Sequence, residues 1–250
     1  PSDTSYHARG KQAMKNGGIW YTPQSGIWQS VWLEACEKAH TVSYKVYPDI
    51  DAPGAALEII TSDDSMGGKL SVKAYYDGRP VGEASATVTA KAVYITLPLS
   101  EKHLWECGNG RLYDLVFTLE KEGKCDTLHG YFGLRTVCVA RDGFYLNGKK
   151  TFLRGLNRHQ SYPYIGYAAT ESLQREDARI LKEELGCVVV RTSHYPQSQH
   201  FIDECDCMGL LVFTEIPGWQ HIGDDSWKEQ AIENTREMVL QYRNHPSIIL

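Results

Sequence analysis

No stretch of the 250-residue sequence approaches the run of about 18 apolar residues that a membrane-spanning helix needs. No N-x-Ser/Thr sequon occurs, and the opening PSDTSYHARGKQ has no apolar segment of a secretory leader. The spacing C-x-x-C is missing, so a zinc or dithiol motif lacks its usual form. Positive charge is not in excess: 26 Lys and Arg stand against 31 Asp and Glu, for a net charge of -5. That balance argues against a general nucleic-acid binder. A dinucleotide fingerprint is absent as well, because Gly155-Leu156-Asn157 is not G-x-G-x-x-G.

What is present describes a folded protein. Aromatic residues make up 11% of the chain and hydrophobic residues 42%, enough apolar area to offset chain entropy. The seven cysteines are odd in number and scattered. Buried free thiols in a reducing compartment are therefore expected, which favours a cytoplasmic location. One or two domains suit the length.

The hydrophobic pattern changes near residue 140. Before it, period-2 alternation marks strands at 70–77, 84–90, 92–99, 112–120 and 134–140. Asp77-Gly78 suits a type I′ turn. Short strands separated by turns over about 100 residues suggest an immunoglobulin-like β-sandwich. Residues 1–38, with Trp20, Trp28 and Trp32, read as strand material too short for a domain. After residue 140 the chain alternates strand and helix. Apolar runs at 151–159, 188–194, 210–217 and 247–250 read as strands buried on both faces. Thr170 caps a first helix whose inward positions are Leu173, Ile180, Leu181 and Leu185, and Gly186 stops it. Pro196 starts a second, with Phe201, Ile202, Cys205 and Met208 inward and Gly209 at its end. Ser226-x-x-Glu229 forms a capping box for a third, whose stripe is Trp227, Ala231, Thr235, Met238 and Tyr242. Such a βαβαβαβ segment predicts a right-handed parallel sheet, either doubly wound or a (β/α)8 barrel.

Polar residues gather at the carboxyl ends of three of these strands. The first ends in Asn157, Arg158 and His159, the second in Arg191, Thr192, Ser193 and His194. The third ends in Glu215, followed by Trp219 and His221. That rim is where parallel α/β folds bind their ligands. A carboxylate at Glu215 needs a partner such as Arg191, or a ligand. Trp219 has a shape suited to stacking on the apolar face of a ring. Arg158 is expected in a structural ion pair, and His200 on a helix surface.

At these residues the chain resembles glycoside hydrolase family 2, especially its β-galactosidases. GIWQSVWLEA (26–35) resembles the end of that family's sugar-binding jelly roll. LWECGNGRLYDLVFTLE (104–120) and YFGLRTV (131–137) resemble its immunoglobulin-like domain. FYLNGKKTFLRGLNRHQ (144–160), RTSHYPQSQHFIDECDCMGLLVFTEIP (191–217) and YRNHPSIIL (242–250) resemble its catalytic barrel. The chain departs from the family at Val188, where Asn is usual, and at Gln160, where Glu often stands.

The resemblance implies a multidomain β plus α/β chain. Its parts would be a jelly-roll remnant (1–38), an immunoglobulin-like sandwich (39–140) and the first half of a TIM barrel (141–250). It implies hydrolysis of terminal β-D-galactosyl residues by a retaining double displacement. That mechanism needs two carboxyl groups about 5–5.5 Å apart. The acid/base and nucleophile glutamates are expected after Leu250, so no catalytic residue is assigned here and the chain alone is expected to be inactive. His159 and His194 would bind sugar hydroxyls, and Arg191 would lie near the nucleophile. Asn157, Glu215 and Trp219 would complete the substrate-binding set. No metal ligand is assigned. Magnesium occurs in full-length relatives, where a main ligand would be the acid/base glutamate. A carbohydrate is the expected partner, with neither nucleic acid nor membrane; a homo-oligomer is left open for the full-length form. The alternatives are a β-glucuronidase or β-mannosidase, a noncatalytic carbohydrate-binding fragment, or a metal hydrolase liganded by His159, His194 and Glu215. The last lacks an H-x-H on the first strand.

Overall fold

The computed structural model describes residues 8–15, 17–219 and 221–250. It divides into two compact units. One is Trp32–Phe152; the other joins the stretch ending at Val31 to Leu153–Leu250.

The first of these is antiparallel. Its strands are β1 (Thr41–Asp49), β2 (Gly54–Thr61), β3 (Lys69–Tyr76), β4 (Arg79–Thr87), β5 (Ala92–Pro98), β6 (Tyr113–Lys121) and β7 (Lys124–Phe132). They form one sheet ordered β1-β2-β5 and another ordered β4-β3-β6-β7. The three-plus-four arrangement over a shared core is an immunoglobulin-like sandwich. Period-2 alternation produces that core. Along β6, Tyr113, Leu115, Phe117 and Leu119 point inward while Asp114 and Glu120 face out. They meet Leu57 and Ile59 of β2 and Ile95 and Leu97 of β5. The turn at Asp77-Gly78 closes the β3–β4 hairpin with φ of 47° and 73°, the positive pair that a type I′ turn requires.

Three expectations change here. Strands β1, β2 and β7 lie outside the runs with clear alternation. The segment 134–140 yields only β8 (Val137–Ala140), exposed throughout. It pairs with β9 (Gly143–Leu146), which pairs with β10 (Lys149–Thr151). Residues 26–35 form no strand, and Ile27, Val31, Trp32 and Leu33 are exposed. Alternation marks a face for burial, but a strand also needs a neighbour for its N–H and C=O groups.

The other unit carries the parallel sheet. Its elements are β11 (Gly155–Arg158), α1 (Glu171–Arg179), β12 (Val189–Thr192), α2 (Gln199–Met208), β13 (Leu211–Phe213) and α3 (Asp225–Tyr242). The strand order β11-β12-β13 is sequential, and a parallel bridge between Val212 and Ile248 continues it. The order never reverses, as a doubly wound sheet requires; the barrel reading stands. Gly155 permits the closest approach. A Cβ there would overlap the Val189 carbonyl, so only glycine fits.

The strands are shorter than the apolar runs. Residues 149–151 pair back with β9, so the first parallel strand begins at Gly155. β13 ends at Phe213, where the chain turns Glu215 toward β12. The run 247–250 makes one bridge, supported by bonds from Val212 N to the Ser247 carbonyl and from Thr214 N to the Leu250 carbonyl.

Helix α1 starts as expected, with Thr170 accepting from Leu173 N. Its inward face is rotated. Gln174, Ala178 and Leu181 are buried, while Leu173 and Leu185 are exposed. Arg158 draws Gln174 and Asp177 toward the sheet, and a π-helical turn over Ile180–Glu184 shifts the register. α2 begins at Gln199, buries Phe201, Ile202 and Cys205, and ends at Gly209 with φ of 66°. The cap of α3 is Asp224 rather than Ser226; it accepts from Trp227 N. Thr235 is exposed and bonds back to the Ala231 carbonyl. The cysteines are all free, but only Cys187 and Cys205 are buried.

Phe117 is fully buried between the two sheets. Phe117→Ala is expected to destabilise the sandwich by about 3–5 kcal/mol, read as an earlier urea transition for that unit. An unchanged midpoint would contradict the packing described.

Candidate active-site rim

The parallel register sets the rim. Asn157 stands beside Arg191, and Arg191 beside Phe213. Val190 and Val212 pack with α2 in the second core. Alternate residues of a strand face opposite sides, so Asn157 and Arg191 share the face turned away from the helices.

Glu215 ties the strand ends together. Its Oε2 accepts from Arg191 Nη2 at 2.9 Å, and its Oε1 lies 3.1 Å from His194 Nδ1. Asn157 is exposed, and among the described residues no hydrogen bond joins it to the other five. His194, only 7% exposed at its side chain, stacks on Trp219 with ring centroids 5.3 Å apart. The His159 ring meets His194 edge-on at 5.4 Å. Thus His159, Arg191, His194, Glu215 and Trp219 form one cluster, with Asn157 at its margin. His221 sits apart from them and pairs with Arg9, Nη2 to Nδ1 at 3.2 Å. His200 lies on α2, 3.9 Å from Glu171. Val188 keeps its main-chain bond to the Arg154 carbonyl.

Three residues of the cluster escaped the sequence reading. Tyr21 stacks on His159 at 4.5 Å, and Trp20 meets Trp219 edge-on at 5.4 Å. The Lys11 ammonium lies 5.6 Å from the Tyr21 ring and 5.2 Å from the Trp219 ring, within reach of the ring quadrupoles. The aromatic density near Trp20 was the available signal. Nothing in a linear pattern says which distant residues those rings meet.

Burial, with the positive charges of Lys11 and Arg191 and the neighbouring His194, pushes the His159 pKa down to about 4. Burial lowers His194 too, against the opposing pull of Glu215. Both rings are therefore neutral near pH 7. Facing a carboxylate, His194 Nδ1 carries the proton, which leaves Nε2 as an acceptor. His159 Nδ1 is buried with no hydrogen-bond partner among the described residues. The rim is thus built to exchange hydrogen bonds with hydroxyl groups.

It is not built for a metal. Both oxygens of Glu215 are engaged by cationic or N–H donors, and magnesium wants several free oxygen ligands. The residues present do not fit that ion, nor a trio of His159, His194 and Glu215. Among the described residues, the one group with ligand atoms drawn together is Asp203, Asp206 and His245. There His245 Nδ1 bonds Asp206 Oδ2 at 2.5 Å, and Ser247 N donates to Oδ1 at 2.8 Å.

Two measurements check these electrostatics. Because folded His159 binds its proton near pH 4 rather than 6.5, the unfolded chain holds more protons between those values. Its contribution to stability is present above pH 6.5 and is lost as pH falls toward 4. His159→Gln is expected to flatten that part of the stability profile. His245 has the opposite sign. Burial lowers its pKa, but the bond and charge of Asp206 outweigh burial, so the pKa stands above 6.5. Its contribution is present below pH 6.5 and fades as pH rises through the folded value. Separately, Glu215→Gln removes the group that raises His194, so the NMR titration midpoint of that ring is expected to drop further; a rise would refute the assignment.

Comparison with known proteins agrees with the two kinds of fold. Residues 39–135 match the model for glycosyl hydrolases family 2, and residues 137–250 match its TIM barrel domain. The boundary between the two matches precedes the edge of the compact unit at Phe152. The β8–β10 segment lies inside that unit, where Asn147 Nδ2 bonds the Trp105 carbonyl at 2.9 Å. The chain is 53% identical over 152 residues to a β-galactosidase of Thermoanaerobacterium thermosulfurigenes, covering 61% of this chain and 21% of that one. It is 41% identical over 236 residues to a β-galactosidase of Thermoanaerobacter pseudethanolicus, covering 90% and 32%. Among solved structures, a Bacteroides uniformis β-glucuronidase superposes with a TM-score of 0.78 at 30% identity, covering 90% of this chain and 30% of that one. The chain therefore spans 21–32% of the length of these relatives. The sandwich, the parallel strands and both family matches agree that the chain belongs to glycoside hydrolase family 2.

Proposed function

We propose that these 250 residues form the substrate-binding part of a retaining glycosidase acting on terminal β-D-galactosyl residues. The observation that carries this reading is the rim itself. Two neutral histidines, an arginine–carboxylate pair and an indole converge at the carboxyl ends of parallel strands. Neutral imidazoles exchange hydrogen bonds with hydroxyls, and an indole face suits the C–H face of a pyranose. The two β-galactosidase relatives support galactose as the sugar.

His159 and His194 would hold sugar hydroxyls, in bonds that tighten as charge develops on the ring oxygen. Arg191, bonded to Glu215, would lie near the nucleophile and keep that group ionised. Trp219 would flank the leaving group, and Asn157 would line the margin. Double displacement needs two free carboxyl groups about 5–5.5 Å apart. Glu215 is not free, since both its oxygens are bonded. It supports the site rather than performing acid–base or nucleophilic chemistry. The acid/base and nucleophile would come from residues after Leu250. A second reading, β-glucuronidase, is favoured by the solved structure that superposes at 0.78.

Purified 250-residue chain is expected to leave nitrophenyl β-galactoside uncleaved. Turnover that persists after host glycosidases are removed would assign the chemistry to groups present here and overturn the supporting role of Glu215. An active enzyme carrying these residues is expected to cleave the galactoside faster than the glucuronide and to release the β-anomer first. Preference for the glucuronide would replace galactose by the uronate, and first release of the α-anomer would sink the double displacement.

A further inference from the structure

Arg158 lies next to the rim but turns away from it. Its side chain is 4% exposed. Nε and Nη2 donate to Asp177 Oδ2 at 2.9 and 2.7 Å. Nη2 also reaches Gln174 Oε1 at 2.7 Å, and Nη1 reaches Gln197 Oε1 at 2.6 Å. The guanidinium lies over the Phe201 ring, 4.0 Å from its centroid. The socket thus draws on α1, α2 and the turn that follows β12.

Gln197 gives the socket a direction. It is fully buried, and its Nε2 donates to the Arg158 carbonyl at 2.6 Å. Ser193 N reaches the same carbonyl at 3.0 Å. One amide therefore grips both the side chain and the main chain of Arg158. Beyond His159, Gln160 is gripped in turn. Its N donates to Tyr195 Oη at 3.3 Å, and its Oε1 accepts from Ser198 N at 3.0 Å. His159 is flanked on both sides by residues laced to the turn 193–198, and His194 lies within that turn.

We propose that Arg158 and Gln197 are positioning residues, holding His159 and His194 at one spacing for a sugar that neither of them touches. The sugar in that statement rests on the glycosidase reading; the positioning does not. A plain ion pair would need only Asp177, and a lysine would supply it. The observed geometry uses the planar fork of arginine on three acceptors, which a lysine cannot copy. A buried ion pair is also a weak source of stability by itself. A supporting layer that locks the groups in front of it is the better account.

The test uses the whole chain, labelled with 15N-histidine, and three variants. Gln197→Met removes both side-chain bonds from the turn to Arg158 and leaves Arg158 with Asp177, Gln174 and the Ser193 N bond. Arg158→Lys keeps the charge and loses the fork. Gln174→Met removes an acceptor that touches neither histidine nor the turn. In Gln197→Met and Arg158→Lys, His159 is expected to leave its place among His194, Lys11, Arg191 and Glu215. Its titration midpoint then climbs by about one pH unit or more toward the ordinary histidine value. The galactose-induced shift at His194 shrinks, and Gln174→Met behaves as the parent. Parental midpoints in folded Gln197→Met and Arg158→Lys would overturn the proposal. So would rescue by lysine alone, or unfolding of both variants, since either assigns the socket to charge or stability. A parent chain whose histidines never respond to galactose would sink the sugar reading and leave the positioning result standing.

Discussion

The parallel ladder of β11, β12 and β13 is the constraint on which the rim depends. Its register places Asn157 beside Arg191 and Arg191 beside Phe213. Strand alternation then sorts each pair of neighbours. Arg158 and Val190 turn to the helices, while Asn157 and Arg191 turn to the opposite face. Slipping β11 by one residue would exchange the faces of Asn157 and Arg158. The approach of β11 to β12 leaves no room for a side chain at Gly155, so the site is tied to a glycine with no chemistry of its own.

Electrostatics follow from that placement. A carboxylate at the end of a buried strand needs donors, and Glu215 finds them in Arg191 and His194. The bond to His194 settles which ring nitrogen carries the proton. Lys11 and Arg191 add positive potential that, with burial, keeps His159 unprotonated. A rim of neutral rings and a compensated carboxylate suits the binding and orienting role proposed for it. Behind it, Arg158, Gln174 and Gln197 are buried while Asp177 is partly exposed, so the bonds from Arg158 to the two amides act in a medium that strengthens them.

Much of this was legible in the residues because it is local. The sandwich strands with strict alternation were found, since one buried face dictates period 2. Thr170 and Gly209 were recognised because caps are made within a few residues. The rim was visible as three polar strand ends, and the partnership of Arg191 with Glu215 was anticipated because a carboxylate there had few other choices. Where the reading failed, a distant partner had decided. Residues 26–35 read as strand material yet form no strand. α1 turned Gln174 inward in place of Leu173 because Arg158 offered it a hydrogen bond. The run 151–159 split because Thr151 pairs with Phe144 of β9 and the parallel ladder starts only at Gly155.

The sequence by itself determined the two kinds of layer, the caps at Thr170 and Gly209, and the family, because each rests on residue order over short spans. Only the tertiary structure decided that Tyr21 stacks on His159, that Trp20 and Lys11 meet Trp219 and that Gln197 grips Arg158 twice. It alone decided that Glu215 has no oxygen to spare. Those contacts join residues far apart along the chain. Their partners are chosen by the register of a ladder and the packing of helices, which no local pattern records.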